Sequence, residues 1–376
     1  MTYNGRSPIS GEPVTVHVED GRILATAPAP PSTGDIWIAP GFIDLQVNGF
    51  AGVDYNSLDT SLEEIARSID LMRACGVTRF LPTVITGSPE TMCGSLRNLA
   101  KAKRELPQGE SMAGFHVEGP WISPAEGPRG AHPIQHVRAA TIEEWKLLQD
   151  AAEGQIRLLT IAPEQEGALA MIEHVSSGGV VVSIGHTGAS VEQIQAAIAS
   201  GATMSTHLGN AAEKLLPRAN CVLEQMAADE LCASFIVDGI HLPLSFLRVA
   251  LRAKGLEKAI LVTDAVAPAG REPGRYRLGD LEVELTADGS VRLPGTQRLA
   301  GSALSMDRAI GNIMSMLGLS LEQALRLATV NPARCLGIEG RQGFLEAGER
   351  ADLVLFRFDP ESKQIQVQQT TVGGCA

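Results

Sequence analysis

One rhythm constrains this chain more than any other feature. Between residues 41 and 267, eight short apolar runs alternate with amphipathic stretches of helical period. The runs cover 41–49, 79–86, 112–120, 156–164, 180–188, 203–211, 232–241 and 258–267, and the helical patterns between them cover 61–76, 89–106, 141–152, 166–177, 190–200, 221–229 and 243–254. In the first helix Leu62, Ile65, Ile69 and Met72 share a face and Gly76 supplies the stop. Ser88-Pro89 opens the second, a Thr141-x-x-Glu144 pattern the third, and Ser190, with Glu192 nearby, a later one. Strands joined by helices run parallel, and eight such units close into a (β/α)8 barrel, so the fold class is α/β. An open doubly wound sheet is the rival. It would carry a glycine-rich phosphate turn after its first strand. Here that turn reads Gln46-Val47-Asn48-Gly49-Phe50-Ala51-Gly52, so the barrel is expected.

The two ends follow a different pattern. Residues 14–24 alternate around Asp20-Gly21 and predict a hairpin with His17 on the surface, and the proline-rich stretch 27–32 reads as a linker. Residues 276–293 alternate around Asp288-Gly289 and predict an excursion of strands, followed by helices over 302–317 and 320–329. Strands at 351–356 and 365–367 then join the N-terminal ones. The expected division is a small β-sandwich domain built from 1–40 and 341–376, around a barrel of 41–340 with a β insertion near 271–298.

Composition excludes some functions. A net charge of −12 repels polyanions, which argues against a nucleic-acid partner. The N-terminus lacks an apolar signal core and no apolar run is long enough to span a bilayer, so no membrane association is expected. The six cysteines include no Cys-x-x-Cys pair and read as reduced thiols, which points to the cytoplasm.

Barrel chemistry sits at the C-terminal ends of the strands. Those ends carry Gln46 and Asn48, His116 and Glu118, His186, His207 and Asn210, Asp238 and His241, and Asp264. Alone, each has an ordinary structural reading as a hydrogen-bonded residue, and Asp264 could equally be a helix cap. Together they converge on one mouth. Glu118, His186 and His207 make a two-histidine, one-carboxylate set, the pattern of a catalytic metal with an open position. Asp264, beside it, can shuttle a proton. Amides are poor metal ligands beside imidazole, so Gln46 and Asn48 argue for one metal, with the amides hydrogen-bonding the barrel floor or the substrate.

These motifs resemble the amidohydrolase superfamily, and within it the N-acetylglucosamine-6-phosphate deacetylases. The matching stretches are 39–49, His116-Val117-Glu118-Gly119-Pro120, Gly130-Ala131-His132-Pro133, Gly185-His186-Thr187, Thr206-His207-Leu208 with Asn210-Ala211, Asp238-Gly239-Ile240-His241, Val262-Thr263-Asp264-Ala265, Leu299-Ala300-Gly301-Ser302, and the closing run from Gly343 to Val354. The resemblance implies one divalent metal on Glu118, His186 and His207. Zinc is expected, and iron, cobalt or manganese suit the same ligands. It implies Asp264 as base and acid, and His132 on the acetyl carbonyl. It implies sugar contacts from Ala131, Asn210, Ala211, Leu299, Ala300 and Gly301, with His116 and Asp238 as further support. It also implies a 6-phosphate site at Arg218 and His241, with one of the two supplied across a homodimer interface. After Arg218 the chain reads Ala219-Asn220-Cys221, where that family usually has Glu-Pro-Gly. The alternatives are deacetylation of N-acetylgalactosamine 6-phosphate or of an unphosphorylated sugar, and a non-enzymatic binding barrel.

Overall fold

The computed structural model describes residues 1–30, 34–213, 217–338 and 343–375. Seven of the eight strands pair with the next in parallel: β1 Phe42–Val47, β2 Val77–Ile85, β3 Phe115–Glu118, β4 Ile156–Ile161, β5 Val181–Ile184, β6 Ala202–Ser205, β7 Cys232–Ile236 and β8 Ala259–Val262. The first closes on the last: Val47 bridges Ala265 in parallel, and the Asn48 amide donates to the Ala265 carbonyl at 2.7 Å. The expected barrel is the one observed. Every residue of β1 and β8 is buried, as strands covered on both faces require.

Beneath the mouth, the barrel interior carries a connected network of polar side chains. The Thr160 hydroxyl lies 2.7 Å from Thr206 Oγ1 and 2.7 Å from His116 Nε2, Ser183 lies 2.6 Å from Thr206, and Thr83 lies 3.3 Å from His116 Nδ1. Burying so many polar groups is tolerable only because each finds a partner.

The helices follow their caps. Leu62–Ala74 begins with a capping box between Ser61 and Glu64, and Val191–Ala199 with one between Ser190 and Gln193, not the neighbouring Glu192. At Ile142–Ala151 the Thr141 hydroxyl accepts from the Glu144 amide. The Glu144 carboxylate instead pairs with Arg138 and accepts from Trp121 Nε1 at 3.1 Å.

Both chain ends build one mixed six-stranded sheet, in the order Ile365–Thr371, Leu353–Phe358, Ile36–Pro40, Thr2–Arg6, Pro13–Glu19, Arg22–Pro28. Its core includes Val16, Ile23, Ile38 and Leu353. Asp20 (φ 47°) and Gly21 (φ 73°) make the expected turn, and His17 is exposed. Ala27 and Pro28 belong to a strand and not to a linker; 31–33, and the expected domain boundary near 340, lie outside the described residues.

The excursion is a four-stranded antiparallel sheet of Gly274–Leu278, Leu281–Leu285, Ser290–Arg292 and Leu299–Ser302. It reaches Ser302, where a helix start was expected; the helix begins at Met306. Ser302 is drawn into sheet structure because its amide donates to the Asp264 carbonyl at 2.9 Å and the Val266 amide donates back to it. Gly301 makes the approach possible: a Cβ there would meet Val266 Cγ1 at 2.4 Å, and its φ is +71°. A further helix, Val330–Leu336, follows beyond the expected ones; Pro332 sits in its first turn, where proline is tolerated.

Candidate active site

Glu118 is the last residue of β3, and His186, His207, Asp238 and Asp264 each sit two residues beyond the end of their strand. Three of these leave the strand with positive φ: His186 at 51°, His207 at 29° and Asp264 at 50°. Side chains pay for that conformation, and it concentrates where function over-determines the backbone. Here it turns the two imidazoles and the carboxylate inward over the barrel axis.

His186 Nε2 and His207 Nε2 lie 3.1 Å apart, and each lies 3.1 Å from Glu118 Oε1. His186 Nδ1 faces the Pro128 carbonyl at 3.0 Å. A carbonyl only accepts, so Nδ1 carries the proton and the neutral ring directs a lone pair from Nε2. Two imidazole nitrogens and a carboxylate therefore aim at one point, within 4.8 Å of one another. Such a cluster is repulsive without a cation, and the donor types suit zinc or a similar divalent ion. Among the described residues no other group of His, Cys, Asp and Glu side chains converges in this way.

Burial works against charge on Glu118, yet the adjoining His186 and His207 outweigh it and hold the carboxyl well below its ordinary range. Gln46 Nε2 donates to Glu118 Oε1 at 3.0 Å, and Asn48 Nδ2 donates to Asp264 Oδ1 at 2.7 Å. The two amides at the end of β1 thus orient the two carboxylates. Burial, and then the charge of Glu118, raise Asp264 to about 6. His132 is pushed down to about 3 by burial and by His186, so its ring is neutral. Its Nδ1 lies 2.8 Å from the Thr86 hydroxyl, and its Nε2 lies 4.0 Å from Glu118 Oε2.

Residues 37–375 match the amidohydrolase family. The chain belongs to that family. Among curated proteins it is 35% identical over 356 residues to the N-acetylglucosamine-6-phosphate deacetylase of Bos taurus, covering 91% of this chain and 83% of the relative. It is 32% identical over 358 residues to the N-acetylgalactosamine-6-phosphate deacetylase of Escherichia coli O157:H7, covering 94% and 93%. Among solved structures, the N-acetyl-D-glucosamine-6-phosphate deacetylase of Mycobacterium smegmatis superposes with a TM-score of 0.87 at 34% identity, over 96% of this chain and 95% of that one.

In this amidohydrolase a cavity of about 1160 Å³ opens over the histidine–glutamate cluster, and Glu118, His132, His186, His207 and Asp264 all line it. Of the sugar-contact expectations, Ala131, Asn210, Ala211, Leu299, Ala300 and Gly301 lie on its wall. His241 lines it too, with Nδ1 held by Asp238 Oδ2 at 2.6 Å and a buried Nε2 that has no partner. Asp238 stands behind His241, and His116 lies deeper in the barrel between Thr83 and Thr160. Arg218 is exposed and is not part of the cavity wall. Sequence reasoning passed over Thr86, Pro128 and Arg298. Thr86 ends the second apolar run, a visible position, but a hydroxyl there carries no chemical signature of its own.

Proposed function

We propose that this amidohydrolase hydrolyses the N-acetyl group of N-acetylglucosamine 6-phosphate, releasing glucosamine 6-phosphate and acetate. The observation that carries the reading is the meeting of Glu118, His186 and His207 with Asp264 in one cavity, in a chain whose curated relatives bear that activity in their names. One divalent metal, with zinc as the proposed occupant, would be held by Glu118, His186 and His207. When bound, it supplies Lewis acidity to the attacking water and to the amide carbonyl.

The chain's own groups do the rest. Asn48 occupies Asp264 Oδ1, which leaves the other oxygen to take a proton from water and return it to the departing nitrogen. Neutral His132 donates from Nε2 to the acetyl oxygen as charge develops there. That requires the Thr86 hydroxyl to donate to Nδ1. Ala131, Asn210, Ala211 and the backbone of Leu299, Ala300 and Gly301 hold the sugar. His241 and Arg218 would contact the phosphate; exposed Arg218 would do so from a second subunit, which is the basis for proposing a homodimer. The six free cysteines fit a reducing, cytoplasmic setting, and among the described residues no helix is long and apolar enough to cross a membrane.

A second reading is the galactosamine substrate, favoured by the 32% identity to the Escherichia coli enzyme named for it. The test of the common chemistry is Asp264→Asn. Turnover should fall by about 10²–10⁴-fold with metal content unchanged, since Asp264 is outside the ligand set. Metal-replete Asp264→Asn protein with near-normal acetate release would overturn the reading.

A further inference from the structure

Away from the cavity, the barrel brings three sulfur-containing side chains together. Cys232 opens β7, Met204 lies on β6, and the two are partners in the parallel ladder. Cys335, on the helix Val330–Leu336, places its Sγ 3.8 Å from Met204 Sδ. Its thiol is also hydrogen-bonded to the Cys232 thiol. Both cysteines are free and partly exposed. The helix that carries Cys335 is already held to the neighbouring strand, because Asn331 Nδ2 donates to the carbonyls of Leu256 and Ala259 at 2.7 Å each. Cys335 is thereby fixed against the start of β7.

The two thiols are not equivalent. Lys254 Nζ donates to the Leu231 carbonyl at 3.0 Å, and Lys258 Nζ donates to the Asp229 carbonyl. Both ammonium groups are thus docked on the segment that leads into Cys232, and Arg334 adds a third positive charge. The hydrogen bond from Cys335, and then these cations, lower Cys232 to about 7 against its burial, so a large share of it is thiolate at neutral pH. The same hydrogen bond, followed by burial and the charge on Cys232, holds Cys335 well above the ordinary thiol range. Burial also pushes Cys75, Cys93 and Cys221 up. A reachable thiolate among cations, touching a second thiol, has what exchange with a disulfide requires.

We propose that Cys232 and Cys335 are a redox-active dithiol, with Cys232 the attacking and Cys335 the resolving cysteine, which small organic disulfides oxidise to a disulfide bridge. In the first step the Cys232 thiolate attacks one sulfur of the small disulfide. That S–S bond breaks, a mixed disulfide forms on Cys232, and one small thiolate leaves and takes a proton from water. Capping removes the charge on Cys232 and its hydrogen bond with Cys335, two of the causes that keep Cys335 protonated. Cys335 then loses its proton to water and attacks the Cys232 sulfur, expelling the second small thiolate, which is protonated in turn. Two protein thiols are oxidised by two electrons and one small disulfide is reduced to two thiols. The bridge ties the start of β7 to the helix Val330–Leu336 and closes a long segment that includes β8, Asp264 and the excursion. Closing so long a loop restrains the unfolded chain, so the bridge acts as a brace made under oxidising conditions. The reaction lies outside the catalytic cavity and does not depend on the deacetylase reading.

The test incubates the full-length protein with oxidised glutathione at pH 7, blocks remaining thiols by alkylation and maps the unreduced peptides by mass spectrometry. Wild-type protein should yield a peptide linking Cys232 to Cys335. Its Tm should rise by roughly 5 °C and return on treatment with dithiothreitol. Cys335→Ser should stop at a glutathione adduct on Cys232. In Cys232→Ser the adduct on Cys335 should form at least about tenfold more slowly than Cys232 reacts in Cys335→Ser. A wild-type protein that gives no linked peptide, or a linked protein with unchanged Tm, overturns the proposal. Equal rates at the two cysteines in the single variants overturn the assignment of Cys232 as the attacking thiol.

Discussion

At the scale of single residues, the site depends on which nitrogen of each imidazole holds a proton. For His186 the Pro128 carbonyl decides it. For His132 the decision falls to Thr86, whose hydroxyl is both 2.8 Å from Nδ1 and 3.4 Å from the Glu118 carbonyl oxygen. If that proton goes to the carbonyl, His132 must protonate Nδ1 and loses the Nε2 donor. Thr86→Val should therefore reduce kcat about tenfold or more, short of the ~10²–10³ loss typical of removing an oxyanion donor. Thr86→Ser should retain most activity, and metal content should not change in either variant. Equal activity in Thr86→Val and wild type would show that Thr86 does not set the tautomer. The cluster of Glu118, His186 and His207 was legible in the sequence because histidine and glutamate are conspicuous at the ends of apolar runs. Thr86 and Arg298 were not, since a threonine at a strand end or an arginine in a loop has no signature until the fold brings the one to His132 and the other to the cavity wall.

At the scale of elements, the loop after β3 does as much as the strands. It carries Pro128, Gly130, Ala131 and His132, so it both orients His186 and delivers His132. Gly130 has φ 59° and ψ −134°, a conformation essentially confined to glycine, and a Cβ there would come within 3.3 Å of His186 Cε1. Gly130→Ala should strain the loop and displace the His186 ring. The expected result is a fall of about tenfold in metal affinity, on the scale seen when support for a ligand is lost, with kcat falling too. Metal titration against a chelator measures it; unchanged affinity would mean the ring position does not depend on this loop. The strands and their order could be read from the eightfold alternation, because parallel strands buried on both faces leave an unbroken apolar signature. The end of the excursion could not. Gly301-Ser302 has the look of a loop and helix cap, and only the hydrogen bonds to Asp264 and Val266 make it a strand. The helix at Val330–Leu336 is only seven residues long and carries Pro332 in its first turn, so its sequence gives little helical periodicity to read.

At the scale of the whole molecule, the barrel carries buried acids beyond those of the reaction. Asp44, on β1, is raised to about 7 by burial, against hydrogen bonds from Thr263 and Gln46 that favour its charged form. An acid raised in the folded state binds more protons folded than unfolded between about 3.9, its unfolded value, and about 7. Across that window stability falls as pH rises, by on the order of 4 kcal/mol for a three-unit shift. Asp44→Asn, which can still accept from Thr263, should flatten this slope. Thermal unfolding from pH 4.5 to 7.5 in the presence of a chelator, compared with wild type, measures it. Parallel pH profiles in the two proteins would show that Asp44 ionises normally.

The central claim is that one metal, held by Glu118, His186 and His207, serves hydrolysis of an N-acetyl phosphosugar. The most direct measurement is acetate release from N-acetylglucosamine 6-phosphate, N-acetylgalactosamine 6-phosphate and unphosphorylated N-acetylglucosamine, with metal content determined on the same sample. Rapid release from N-acetylglucosamine 6-phosphate, slower release from the other two, and about one metal per chain is the predicted result. A protein with its metal in place that releases no acetate from any of the three would contradict it.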